Sequence, residues 1–267
     1  MHGLGAIDPG RTVDWGNTTE DYARYRPGPP LSFYDKLKAL EVGLPHQAIL
    51  DLGTGTGVVA REFARRGVRR VCATDISEVQ VGMAADLATK ADLKIHFETA
   101  AAEKQPFADQ EFDVITANQC WLYFDKKIII PEVKRLLRPA GVLVTSHFSW
   151  LPRLDVIARR SEELILKFNP QWTAADYSGE IPALPSWAEG HFRLKGMFFY
   201  DEQISFNIET WRGRIRACRG IGAALSEEEV REFDFEHEAL LKRTAGETFS
   251  VLHRLDAHIF EPIWDAS

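Results

Sequence analysis

The sequence predicts an α/β protein built on a mostly parallel sheet with helices on both faces. Three observations carry this. Short β-rich apolar runs alternate with segments of helical spacing from Ala48 to His147. The runs are punctuated by Gly, Asp, Asn and Pro, and the first ends in a glycine loop that opens onto a helix. At 267 residues and 45% apolar, the chain is long enough to bury a full core.

The first thirty residues are rich in Gly and Pro yet hold Trp15, Tyr22 and Tyr25 before Arg26-Pro27-Gly28-Pro29-Pro30. So many aromatics point to an arm that folds over the body from about Trp15, with Thr18 or Thr19 capping a short helix to Tyr25. Leu31, Tyr34, Leu37 and Leu40 stripe a helix over 31–42. Strands are then expected at 48–52, 70–74, 93–98, 112–117 and 141–147. The intervening helices are expected at 58–66, 78–90 and 127–138. Pro131 is placed in the first turn of the last helix, and Arg138-Pro139-Ala140-Gly141 closes it.

Beyond the fifth strand, Leu154 to Phe168 reads as a helix, and 171–196 as a lid or substrate wall holding Trp172 and Trp187 among prolines and glycines. A sixth strand over 197–206, helices over 211–225 and 226–243, and a seventh strand over 249–260 complete the chain. Ser226 with Glu229 forms a capping box. The expected organisation is an arm at 1–45, a core at 46–150, the lid at 151–196, and strands and helices completing the sheet at 197–267.

The net charge of -7 argues against a broad footprint on nucleic acid or anionic lipid and favours small-molecule partners. Cys72, Cys120 and Cys218 lie in no metal or redox spacing, and a reducing cytoplasm fits them best. No run is apolar enough to span a bilayer, and the beginning, with Asp8, Arg11 and Asp14, lacks a signal-peptide core. A cytoplasmic protein without a resident metal is expected; its oligomeric state is open.

The stretch Asp51-Leu52-Gly53-Thr54-Gly55-Thr56-Gly57 is a strand end and glycine loop that lets a ligand approach the backbone at a helix start. Gly55 to Ala60 also fits the dinucleotide fingerprint, which keeps a nicotinamide-dependent oxidoreductase as an alternative. Asp51 tips the balance, because an acid just before the loop repels a diphosphate and suits an ammonium. Asp75, ending the next strand, can accept both hydroxyls of a ribose.

In this setting the chain resembles class I S-adenosylmethionine-dependent methyltransferases, the small-molecule "type 11" group that includes trans-aconitate and ubiquinone/menaquinone methyltransferases. Four blocks carry the resemblance in order: the loop at 51–57, Asp75-Ile76, Ala102-Glu103-Lys104-Gln105-Pro106-Phe107 followed by Phe112-Asp113-Val114-Ile115, and Arg135-Leu136-Leu137-Arg138-Pro139-Ala140-Gly141. Ala101 departs from the pattern, standing where many members have an acid that meets the adenine amino group.

The resemblance implies a Rossmann-like seven-stranded sheet and S-adenosyl-L-methionine as cofactor. It places Gly53, Thr54 and Gly55 against the methionine part, Asp75 on the ribose, Ile76 on the adenine, Ala102 and Glu103 at the adenine rim, and Asn118 near the sulfonium. Tyr22 or Tyr25 with Arg26 would close over the cofactor carboxylate. Direct methyl transfer to a small molecule follows, by alignment more than by acid–base machinery. The segment Asn118-Gln119-Cys120-Trp121-Leu122-Tyr123-Phe124 lacks the double proline of nucleobase and glutamine methyltransferases, which favours an oxygen, a carbon or another small-molecule nucleophile over a base in DNA. A non-catalytic module that binds S-adenosylmethionine as a sensor or scaffold is the third reading.

Tyr123 and His147 are the candidate catalytic side chains. His147 either acts as a general base or simply packs at a strand end. Trp121 and Trp150 are candidate substrate walls, although large aromatics there can equally form a core. Arg212, Arg216 and Arg219 make a cationic ridge beside the stripe Trp211, Ile215, Cys218 and Ile221. That ridge either clamps a carboxylate- or phosphate-bearing substrate or is paired with acids such as Glu227 to Glu229. His191, His237, His253 and His258 are read as structural.

Overall fold

The computed structural model describes Asp8 and residues 13–264, without the side chains of Trp15 and Asn17; Arg11 lies outside the described residues. Seven strands form one mixed sheet in the order β3-β2-β1-β4-β5-β7-β6. They are β1 (Ala48–Leu52), β2 (Arg70–Asp75), β3 (His96–Thr99), β4 (Phe112–Asn118), β5 (Leu137–Trp150), β6 (Phe192–Asn207) and β7 (Thr248–Pro262). The pairs β1/β2, β1/β4, β2/β3 and β4/β5 are parallel. The α/β sheet expected from the sequence is therefore present.

Eight helices accompany the strands among the described residues: α1 (Thr19–Tyr25), α2 (Leu31–Ala39), α3 (Val58–Arg65), α4 (Glu78–Lys90), α5 (Lys126–Leu136), α6 (Val156–Phe168), α7 (Ile208–Arg216) and α8 (Glu227–Thr244). Ser226 caps α8 through Glu229 N–H, and Glu229 returns a bond to Ser226 N–H, as the capping box requires.

Several boundaries differ from expectation for local reasons. Leu93 does not begin β3: Asp92 is left-handed at φ 53, and Leu93 N–H donates to Ala88 O, so these residues close α4. Pro131 lies inside α5, in its second turn and not its first, since Asp125 caps a helix that begins at Lys126. Arg138 to Gly141 does not separate helix from strand. Leu137 already pairs with Phe112 while Val142 pairs with Val114, so these four residues form a bulge within β5. Helix α7 starts at Ile208 under a capping box of Asn207 and Thr210, and it ends early, where Gly222 N–H donates to Arg216 O.

The chain divides into two compact units. One comprises Met1–Pro27, Ser149–Glu180 and Tyr200–Arg254; its core gathers Trp150, Trp172, Phe206, Trp211, Ile215 and Phe233. The other comprises Gly28–Phe148, Ile181–Phe199 and Leu255–Ser267. Its core joins Leu50, Leu52, Ile115, Trp121, Leu143 and Phe260, with Trp187 packed against them. Trp172 and Trp187 thus belong to the apolar cores of their units. The expected lid stretch holds one short 3-10 turn, Ser186–Ala188, before β6 begins.

Candidate functional site

In the second unit the chain winds from β1 to β2 and β3 on one side, then from β4 to β5 on the other. The reversal lies between β1 and β4, and the crevice beyond the strand ends at such a switch point is where open α/β sheets bind ligands. The glycine loop, Asp75 and Asn118 all sit at these ends.

Gly53, Gly55 and Gly57 take φ values of 58°, 56° and 75°, the left-handed region in which a side chain is strained. Thr54 N–H donates to Thr74 O, fastening the loop to β2. Underneath, Asp51 is 2% exposed and takes hydrogen bonds from two hydroxyls, Thr54 Oγ1 and Thr116 Oγ1, each at 2.6 Å. One carboxylate therefore binds together β1, the loop and β4. Burial pushes its carboxyl up to about 6, against the pull of the Thr116 and Thr54 bonds.

Asp75 faces the same loop from β2. Its Oδ2 accepts Gly55 N–H at 2.8 Å and its Oδ1 accepts Ser77 N–H at 3.0 Å. Burial raises its carboxyl and these backbone donors oppose the rise. An ionised carboxylate has about four acceptor sites, so capacity is left for further donors. Next to it Ile76 is 73% exposed, an open apolar edge, while Ala102 is buried in the core cluster and Glu103 Oε1 accepts Asp125 N–H.

At the end of β4, Asn118 pairs with Ser146 of β5 and accepts its hydroxyl at 3.1 Å. Gln119 then turns left-handed at φ 66, held by its N–H on Ser146 O and by its side-chain amide on Phe148 O. Non-glycine residues in this conformation gather at functional sites. Behind the loop, Cys120 packs where a β-carbon on Gly53 would stand, 2.9 Å from its sulfur.

His147 follows Ser146. Its Nδ1 lies 3.1 Å from Oδ1 of Asp256 on β7, and the His is partly exposed while the Asp is buried. His258 Nδ1 stands 3.9 Å from the same oxygen, and its Nε2 is 2.8 Å from Pro182 O. Sequence reasoning missed Asp256, Thr116, Ser146 and Gln119, whose roles come from pairing across strands distant in the chain.

Other candidates are placed differently. Trp121 is buried in the core, and the cation over its ring is Lys126, 5.4 Å from the centroid, whose amine also donates to the Trp121 and Phe124 carbonyls. Its ring is therefore part of the core and covered by a cation, not an open substrate wall. Tyr123 sits half-buried on the short turn Trp121–Tyr123.

In the first unit, Trp150 is buried with its indole N–H on Glu162. Tyr25 donates to Glu209 at 2.8 Å and lies on Gly213 of α7; Arg26 stacks 4.5 Å over Tyr22. The arginine ridge is met by acids: Arg212 by Asp234 and Glu238, Arg216 by Asp21 and Asp234, Arg219 by Asp8. Arg212 and Arg216 are thus held by partners other than the Glu227 to Glu229 group, and their charges are not left over for a clamp.

Among the described residues, no cluster of three or more metal-ligating side chains occurs, and no helix is long and apolar enough to cross a membrane.

Residues 49–141 match the methyltransferase domain family. A 27-O-demethylrifamycin SV methyltransferase of Amycolatopsis mediterranei is 35% identical over 43% of this chain and 45% of its own length. A ubiquinone/menaquinone biosynthesis C-methyltransferase of Bordetella avium is 35% identical over 39% and 42%, and an uncharacterised methyltransferase of Mycobacterium bovis 33% identical over 49% and 51%. The chain spans about half the length of the curated relatives it matches. In fold it is similar to the YcgJ protein of Bacillus subtilis, with a TM-score of 0.52 at 19% identity over 86% of this chain and 97% of that one. The glycine loop, Asp51 and Asp75 all fall within residues 49–141, the stretch that is similar to methyltransferase domains.

Proposed function

We propose that the protein transfers a methyl group from S-adenosylmethionine to an oxygen or an acidic carbon of a small molecule. The observation that carries this reading is the pair of acids about the glycine loop at the switch point: Asp51 buried beneath it, Asp75 beside it.

The residues present suit the cofactor. Gly53 and Gly55 leave backbone open to a methionyl group, Asp75 has acceptor capacity for a ribose diol, and Ile76 offers an exposed apolar flank for an adenine above Ala102 and Glu103. The negative charge shared by Asp51 and Asp75 favours an ammonium over a diphosphate, which sets the dinucleotide reading behind this one.

When bound, S-adenosylmethionine supplies a methyl on a positively charged sulfur that departs without acid assistance. The chain's task is to hold the acceptor in line, exclude water and take a proton. His147 suits the last role: Asp256 fixes the proton on Nδ1, leaving the Nε2 lone pair to receive one from the acceptor. Asn118 and Ser146 stand beside it on the paired strand ends.

Calorimetry with S-adenosylhomocysteine tests the reading, and absence of binding at high micromolar concentration overturns it. NADH fluorescence titration is expected to give no signal. Labelled methyl transfer to a panel of carboxylic acids, phenols and quinols tests catalysis; binding without any product points to a non-catalytic module.

A further inference from the structure

Asp256 is 1% exposed, and a carboxylate taken so far from water keeps its charge only beside a compensating one. Among the described residues, no lysine or arginine forms an ion pair with it. Two histidines face it instead, both towards Oδ1: His147 Nδ1 at 3.1 Å and His258 Nδ1 at 3.9 Å. The three side chains belong to the second unit.

His258 stands two residues after Asp256 on β7 and two before Phe260, and strand alternation puts all three on one face. It is buried, with Nε2 2.8 Å from Pro182 O. A carbonyl oxygen only accepts, so that nitrogen carries a hydrogen. The state of Nδ1 follows from what it faces. A bare Nδ1 would turn a lone pair on the carboxylate, whereas a protonated one sets a cation beside a buried anion. The ring also lies parallel to Phe260, with 3° between the planes and 5.6 Å between centroids, and an aromatic face attracts a cation.

We propose that His258 is the positioning residue of this group: held as an imidazolium, it keeps Asp256 ionised and thereby fixes the tautomer of His147. An ionised Asp256 can only accept, so His147 presents Nδ1–H to it and leaves Nε2 bare. A protonated Asp256 would instead donate from Oδ1. His147 would then carry its hydrogen on Nε2, with no lone pair left to receive one from an acceptor. His258 acts only through Asp256, yet it decides whether His147 can serve as a base. That catalytic consequence rests on the function proposed above; the protonation pattern does not.

The test is nitrogen-15 NMR of the histidine-labelled full chain at pH 7.5, about one unit above the ordinary histidine value. The two rings are assigned by the signals lost in H147Q and in H258Q. In the wild type, both nitrogens of His258 are expected to carry hydrogen, and His147 to be protonated at Nδ1 alone. In H258Q, whose amide can still donate to Pro182 O, about half or more of the His147 rings should move to the Nε2–H form. In D256N, His258 should lose its second proton.

A singly protonated His258 in the wild type overturns the proposal, and so does an H258Q protein in which His147 keeps its tautomer. If H258Q does not fold, the expected signature is a doubly protonated ring that survives in H147Q and disappears in D256N; its absence overturns the proposal equally. Steady-state kinetics give the second readout, in which H258Q loses roughly tenfold or more in kcat with KM for S-adenosylmethionine unchanged. A wild type that transfers no methyl group counts against the proposed function alone, because the NMR pattern still decides the role of His258.

Discussion

His147 and Asp256 are 109 residues apart in the chain, yet Nδ1 of one meets Oδ1 of the other at 3.1 Å, with the aspartate buried and the histidine partly open. A buried carboxylate on one ring nitrogen fixes the tautomer and aims the other nitrogen. His147→Gln is expected to lower kcat by about 100-fold, the low end for a general base, with S-adenosylhomocysteine affinity unchanged. Asp256→Asn should lower kcat less and leave KM for the cofactor alone. Steady-state kinetics check both; full activity in His147→Gln returns the histidine to a packing role.

Asp75 should matter to binding before chemistry. Asp75→Ala removes the acceptor for Gly55 N–H and Ser77 N–H along with any bond to a ribose. The expected loss in S-adenosylhomocysteine binding is roughly 1.5–3 kcal/mol, the scale of bonds to a charged group. Calorimetry measures it directly. Unchanged affinity would show that the ribose is held elsewhere.

Gly53 is constrained twice. Its φ of 58° disfavours a side chain, and a β-carbon there would meet Cys120 Cβ and Sγ at 2.9 Å. Gly53→Ala is expected to destabilise the protein by about 1–3 kcal/mol, measured by chemical denaturation, and to weaken cofactor binding with it.

His237 gives a pH-dependent term of definite sign. It is buried, with Nε2 2.9 Å from Ser161 Oγ, and burial lowers its pKa from 6.5 to about 4. The unfolded chain therefore takes up a proton near pH 6.5 that the folded protein refuses until about pH 4. Stability from this group is complete above pH 6.5 and falls as pH drops through that window, by ~3 kcal/mol at about 1.4 kcal/mol per pH unit. Asp51 acts in the opposite sense, since its raised carboxyl favours the folded state as pH falls. The readout is therefore the difference between wild type and His237→Gln in denaturant titrations from pH 7 to 4.5. The gap should change steadily across that range in favour of the variant.

The sheet was legible in the sequence because β1, β2 and β4 are short apolar runs closed by Gly53, Asp75 and Asn118, and β1 and α4 fall where the pattern puts them. The edge was less so: no residue of β3 is fully buried, so burial imposes little pattern, and Leu93 serves the preceding helix. The loop and Asp75 were readable as local motifs. Asp256 and Arg214 were not, for different reasons. Asp256 acquires its meaning from a strand neighbour more than 100 residues away. Arg214, which is buried, stands at stripe spacing, three residues after Trp211, yet in the sequence its charge is not separable from the ridge of Arg212, Arg216 and Arg219 beside it. Those ridge arginines have acids that only the fold brings to them.

The double hydroxyl clasp on Asp51 bears on how tightly a ligand can be held. Fixing one residue's backbone takes roughly 1–2 kcal/mol of conformational entropy, so a slack loop of this length would draw much of a ligand's binding energy into its own ordering. Here Thr54 and Thr116 have already tied the loop to two strands, and Thr54 N–H ties it to a third. The seat is rigid before anything arrives, and affinity is left to report the contacts themselves.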